Sequence, residues 1–146
     1  MTGYAELRRS LSRLAPELVP ELREGMKYAA EVAAKDAANR LTAAVASNNP
    51  RKRPARSTGR AAASIRALSS GNVIYLAAGT AGRVPYYGWL DFGGDLKPKG
   101  RRKNRQTRPF LKRGRFLYPA ADATAGIALT RAEIAMSAAI SKAGLD

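Results

Sequence analysis

The chain of 146 residues contains no cysteine and no histidine, and only 11 of its residues are acidic. Without cysteine there is no disulfide framework, no thiolate nucleophile and no Cys-based zinc site. Without histidine the commonest general base and the imidazole metal ligand are both missing. Catalytic triads and most transition-metal sites are thereby excluded by inventory. No apolar run reaches the roughly 18 residues that a bilayer span needs, and no charged-apolar-small signal pattern opens the chain. A protein made and kept in a cytoplasm, with no cofactor, is the expectation.

The shortage of acids is the other side of a surplus. There are 26 lysines and arginines, for a net charge of +15. Such a balance attracts polyanions: DNA, RNA, an anionic membrane or an acidic protein face. The length predicts a single domain over residues 1–146 with room for extended arms: a helical arm at 1–19 and basic loops at 50–60 and 97–115.

Apolar residues Tyr4, Leu7, Leu11 and Leu14 recur at helical spacing with Arg8, Arg9 and Arg13 between them, which predicts a short amphipathic helix. Pro16 and Pro20 interrupt the pattern, and Pro20 suits the first turn of a second, longer helix over residues 20–47. Leu22, Met26, Ala29, Ala33, Ala37, Leu41 and Val45 would form its packed face, and Asn48-Asn49-Pro50 would end it. Residues 51–60 are expected to be a connector, with Ser57-Thr58-Gly59 as a turn or cap. Residues 64–68 and 72–78 predict a β-hairpin around Ser69-Ser70-Gly71-Asn72. Residues 84–92 fit a short helix or a third strand. Residues 97–115 fit a long basic loop or extended hairpin with a turn at Arg113-Gly114. An alanine-rich final helix is expected over residues 119–142, against the first long helix, a neighbouring subunit, or both.

The strongest chemical signal is the run Lys97, Lys99, Arg101, Arg102, Lys103, Arg105, Arg108, Lys112, Arg113 and Arg115, with no acid between Asp95 and Asp122. So dense a cluster repels itself unless an anion is near. It reads as a contact for DNA phosphates or for an acidic partner, or as a solvated loop. Arg51, Lys52, Arg53, Arg56 and Arg60, stiffened by Pro50 and Pro54, make a smaller basic cluster that reads as an arm reaching a neighbour or as a plain loop between elements. Cations in an extended arm position a protein on DNA without reading bases. Tyr86, Tyr87, Trp89 and Phe92 could stack on bases, but aromatics so crowded around glycine more often anchor a core or a subunit contact. With Phe110 and Phe116 they are the candidate subunit interface. Asp91, Asp95 and Lys97 invite a magnesium-nuclease reading. The acids stand too close together across Gly93-Gly94 for the converging oxygens that such a site needs, and Asp91 is better placed to pair with an arginine.

Taken in order, Thr58-Gly59 running to Ser64-Ile65, then Tyr86 to Gly93, Arg108-Pro109-Phe110-Leu111, and Arg115-Phe116-Leu117-Tyr118-Pro119-Ala120 resemble the tail-completion and neck protein family of long-tailed phages. That family carries a Thr-Gly-x-Leu-x-x-Ser-Ile segment, a Tyr-Ala-x-Tyr-x-Glu-Phe-Gly-Thr segment and a Pro-Phe-Leu-x-Pro-Ala segment before a final helix. Here Ala61 stands for Leu, Tyr87 for Ala, Asp91 for Glu and Gly94 for Thr. Residues 115–120 match the third segment by spacing, which places Pro109 in an insertion.

The expected fold is α+β: a long N-terminal helix, a small mostly antiparallel sheet and a C-terminal helix packed on it. The resemblance implies a structural virion protein of the head-tail junction or tail end, not an enzyme. It would be a homo-oligomeric ring, sixfold like a tail, that joins the head connector to the tail tube and surrounds passing DNA. Its partners would be itself, neighbouring neck proteins and the tube protein, with no membrane. The alternative is an autonomous, sequence-nonspecific nucleic-acid-binding protein.

Overall fold

The computed structural model describes residues 2–48, 56–71, 73–79, 84–96 and 106–143. Helix α1 spans Thr2–Asn48 and α2 spans Arg56–Ala63. Strands β1 (Arg66–Ser70) and β2 (Val73–Ala77) follow, then α3 (Tyr87–Phe92), β3 (Gly94–Leu96), β4 (Gln106–Arg108) and α4 (Leu117–Ala143). The class is α+β. Its strands form two separate antiparallel ribbons: β1 with β2, where Arg66 faces Ala77 and Ser70 faces Val73, and β3 with β4, where Gly94 faces Arg108.

The frame is an antiparallel helix pair. Lys142 Nζ meets Glu21 Oε1 at 2.9 Å at one end, and Leu41 shares a buried cluster with Ala120 at the other. Alanines make this pairing close. Ala29, Ala33 and Ala37 recur every four residues along α1 and are buried, as are Ala120, Ala135 and Ala139 on α4. Small side chains on one helical face let a neighbouring helix approach without a void. The principal contact of α4 is therefore α1, one of the neighbours that its small residues suggest, rather than the sheet on which it was expected to pack; the β1–β2 hairpin also lies on α1.

Two further expectations change. The N-terminal arm and the long helix are one continuous helix of 47 residues, with Pro16 and Pro20 inside it. A proline removes one backbone donor and crowds the carbonyl four residues earlier. Both prolines are exposed, so water can satisfy the carbonyls that they leave free. Part of the expected connector is instead α2. Its alanines favour helix, and Ala61 is fully buried in the cluster that Leu41 also joins.

Ser64 closes α2 and ties it to the hairpin. Its hydroxyl donates to Ala61 O at 2.7 Å and accepts from the Gly79 amide at 3.0 Å. The remaining core comes from Ile65, Val84, Tyr87 and Phe116. At the other terminus α4 starts at Leu117, two residues before the expected Pro119. Pro119 still sits in the first turn, where a backbone N–H has no partner within the helix.

Candidate functional site

The basic run starts from a junction built on α3. This helix has six residues and no side-chain cap at its start, so local propensity does not explain it. Its backbone begins with the Tyr87 amide bonded to Val84 O at 3.1 Å and ends with the Gly93 amide bonded to Trp89 O at 3.0 Å. Gly93 has φ 87°, a conformation that side chains disfavour, and a Cβ there would overlap the Pro109 carbonyl oxygen. The chain can turn at this point and let the returning strand touch it only because residue 93 is glycine.

Asp91 holds the junction together. It is fully buried, and its Oδ1 accepts the Arg115 amide at 2.6 Å and the Phe116 amide at 2.8 Å. Its Oδ2 accepts the Tyr87 hydroxyl at 3.3 Å. Those two amides lie just ahead of α4, where helix-terminal donors otherwise lack partners. A carboxylate from α3 thus caps a helix that begins 26 residues later. Gly114, at φ 65°, makes room, since a Cβ there would stand 2.6 Å from Asp91 Oδ1. Burial, and after it the neighbouring Asp91 carboxylate, push the Tyr87 phenol far above its ordinary pKa of 10.0.

Two arginines close the other end of α3. Arg108 donates to Leu90 O at 2.6 Å, and its guanidinium lies 5.9 Å from the Trp89 ring centroid. Arg115 donates to Asp91 O at 2.9 Å and to Pro109 O. These are last-turn carbonyls of α3 and a carbonyl of the returning strand, and a cation is a strong donor to each. Trp89 Nε1 donates to Gly94 O at 3.0 Å, which fixes the start of β3. Loss of water around Arg108, and then the charge of Arg115, lower the Arg108 pKa against the opposing pull of Asp91.

This arrangement sorts the sequence candidates. Lys97, Lys99, Arg101, Arg102, Lys103 and Arg105, with Arg51, Lys52 and Arg53, lie outside the described residues. The first six belong to the segment joining β3 to β4, whose paired strands bring its ends together. Arg108 and Arg115, expected to face DNA or an acidic partner, are instead bound to backbone carbonyls of the junction. Each satisfies groups that would otherwise be orphaned. Arg113 reaches Asp122 at 2.6 Å on an open surface, and Lys112 is exposed. Among the described residues no arginine side chain meets the Asp91 carboxylate, which is fully buried, and the Arg115 guanidinium bonds the Asp91 main-chain carbonyl instead. Among the described residues no cluster of acids forms a metal site.

The aromatic candidates divide in the same way. Tyr87 and Phe116 are buried in the chain's own core and have no surface to offer a second subunit, which corrects their assignment as interface residues. Tyr86 packs against that core, and Trp89 serves the junction. Phe92 meets Tyr118 edge to face at 6.3 Å. Phe110 is 68% exposed, and Leu111 and Tyr118 are also exposed. The Leu111 amide bonds Phe92 O, so the Leu111 backbone and the Tyr118 ring both adjoin Phe92. Leu111 and Tyr118 were absent from the sequence candidates. Their flanking prolines and the lack of any period gave no sign of which side would face out.

No described helix is long and apolar enough to cross a membrane. Compared with known proteins, the chain matches no family model, no curated protein and no solved structure.

Proposed function

We propose that the chain is a structural protein of a phage neck or tail end. Copies of it would form a ring that joins the head connector to the tail tube around the DNA channel. One observation supports this most directly. The three resembling segments are far apart in sequence, yet Ala61, Ile65, Tyr87, Phe116 and Ala120, one or two from each, share a single buried cluster. Ala61 and Tyr87 stand where the family carries other residues, so Ile65, Phe116 and Ala120 are the matching positions that meet in this core.

The mechanism is assembly rather than turnover. The junction around Asp91 fixes the base of the β3–β4 ribbon, and the basic segment beyond it would reach a neighbouring ring or the DNA. Contacts of lysine and arginine with phosphate are non-specific and weaken with salt, which suits DNA that must slide past. The exposed Phe110, Leu111 and Tyr118 would supply apolar contact to an adjoining protein.

The test is negative-stain electron microscopy of lysates from the parent phage with an early stop codon in this gene. DNA-filled heads separate from finished or overlong tails are the expected result. Normal infectious particles would overturn the proposal and favour an autonomous nucleic-acid-binding protein, which should coat DNA as a monomer or dimer.

A further inference from the structure

An apolar trough runs along the body of the molecule. Val19, Leu22, Met26 and Ile74, with Arg23 among them, line its first part. Met26 and Ile74 also line the second part, where Tyr75 and Ala125 join them, so the two are continuous. Met26 and Tyr75 are 43% and 44% exposed, which is a large open area for side chains of this kind. From Val19 to Ala33 the trough follows α1 for about 21 Å at 1.5 Å per residue. Its floor is largely alanine, which admits a helix at close range.

The same chain carries a segment of matching length and pattern. Lys142, near the end of α4, sits opposite Glu21, and Ser69 of the hairpin lines one hollow with Val19 and Pro20. Helix α1 begins at Thr2, so residues 2–18 run on for about 25 Å past these neighbours. Tyr4, Leu7, Leu11 and Leu14 fall on one line of that helix by their spacing. The arm cannot turn into its own trough, because arm and trough wall are one continuous helix and the arm points away along the same axis.

We infer that the helical arm of one copy, residues 2–18, lies in the trough between α1, β2 and α4 of a second copy. The inference rests on the homo-oligomer of the proposed function and names the contact that builds it. Apolar residues of the arm cover Met26, Ile74 and Tyr75 of the neighbour, a helix-in-groove contact. If each arm passes to the next copy the contacts close a ring, and if two copies exchange arms they close a dimer.

The absence of cysteine makes the test clean. Single variants Leu7→Cys, Leu11→Cys and Leu14→Cys are each mixed with Tyr75→Cys or Ala125→Cys in the full-length chain and oxidised. At least one mixture should give a disulfide between the two variants. Separately, Leu7→Glu with Leu11→Glu, and Met26→Glu alone, should each reduce the mass in light scattering to the 15.6 kDa monomer. Unchanged helical circular dichroism would confirm that those variants fold. A full-length chain with no cross-link in any mixture, whether monomeric or assembled with a mass that both variants leave unchanged, overturns the inference. The neck assignment is decided separately by the stop-codon particles. Cross-linked arms with normal particles would remove the neck and keep the arm exchange, whereas separated heads and tails without cross-links would do the reverse.

Discussion

The α3 junction and the α1–α4 pair hold together by opposite means. At the junction one buried carboxylate, two arginines and a tryptophan N–H satisfy named backbone groups over a few residues. Along the helix pair, alanines meet over many turns, and the directional contacts across it include the Lys142–Glu21 pair and the Arg131 guanidinium 4.3 Å from the Tyr28 ring centroid. The junction is specific and brittle, because three donors depend on the one Asp91 carboxylate. The helix pair is broad and tolerant of a single deletion but intolerant of added volume, since close-packed small residues leave no space.

The comparison breaks most sharply at Asp91. Asp91→Ala leaves two amides and the Tyr87 hydroxyl without their acceptor and should destabilise by about 3–5 kcal/mol in urea unfolding. Asp91→Asn keeps one acceptor oxygen and should lose less. If the two variants were equal, the full carboxylate, with both acceptor oxygens and its charge, rather than the shape of the side chain, would be what the junction needs.

On the helix pair, Ala37→Leu forces a larger side chain into a fully buried site and should cost about 1–3 kcal/mol by the same measurement. A neutral result would mean that α1 and α4 can slide apart. Tyr87 sharpens the contrast through pH. Its folded pKa is raised above the unfolded value of 10.0, so the stability that it contributes is complete below pH 10 and is lost as pH rises beyond it. The slope should be about 1.4 kcal/mol per pH unit above that point, and Tyr87→Phe should remove it from melting curves taken between pH 9 and 11. The smallest effect belongs to Arg113→Ala. Its ion pair with Asp122 lies on an open surface, and the change should stay under about 1 kcal/mol and vanish in high salt.

Legibility in the sequence follows the same division. The long helices and the hairpin turn at Ser69-Ser70-Gly71-Asn72 were visible because their signals are local and repeat over many residues. The break expected at Pro16 and Pro20 failed because proline disfavours a helix without forbidding it where its faces are wet. Helix α2 was missed because its eight residues are too few for a period to show, and burial of Ala61 against α1 decides it. Among the site residues, charge alone could not separate Arg108 and Arg115 from the rest of the basic run. What distinguishes them is the carbonyl that each one meets, and those carbonyls lie 18 and 24 residues away.

By itself the sequence determined the inventory and the periods. No thiol or imidazole chemistry is possible, the charge is strongly positive, and two long helices flank short strands. Only the tertiary structure decided which of several similar residues is structural. Asp91 became a helix cap rather than a metal ligand or an arginine's ion partner, and Tyr87 and Phe116 became core rather than interface. The physical reason is that burial and hydrogen bonding depend on what lies across space. A carboxylate, a guanidinium or a ring takes its role from a partner that its own neighbours in the chain do not specify.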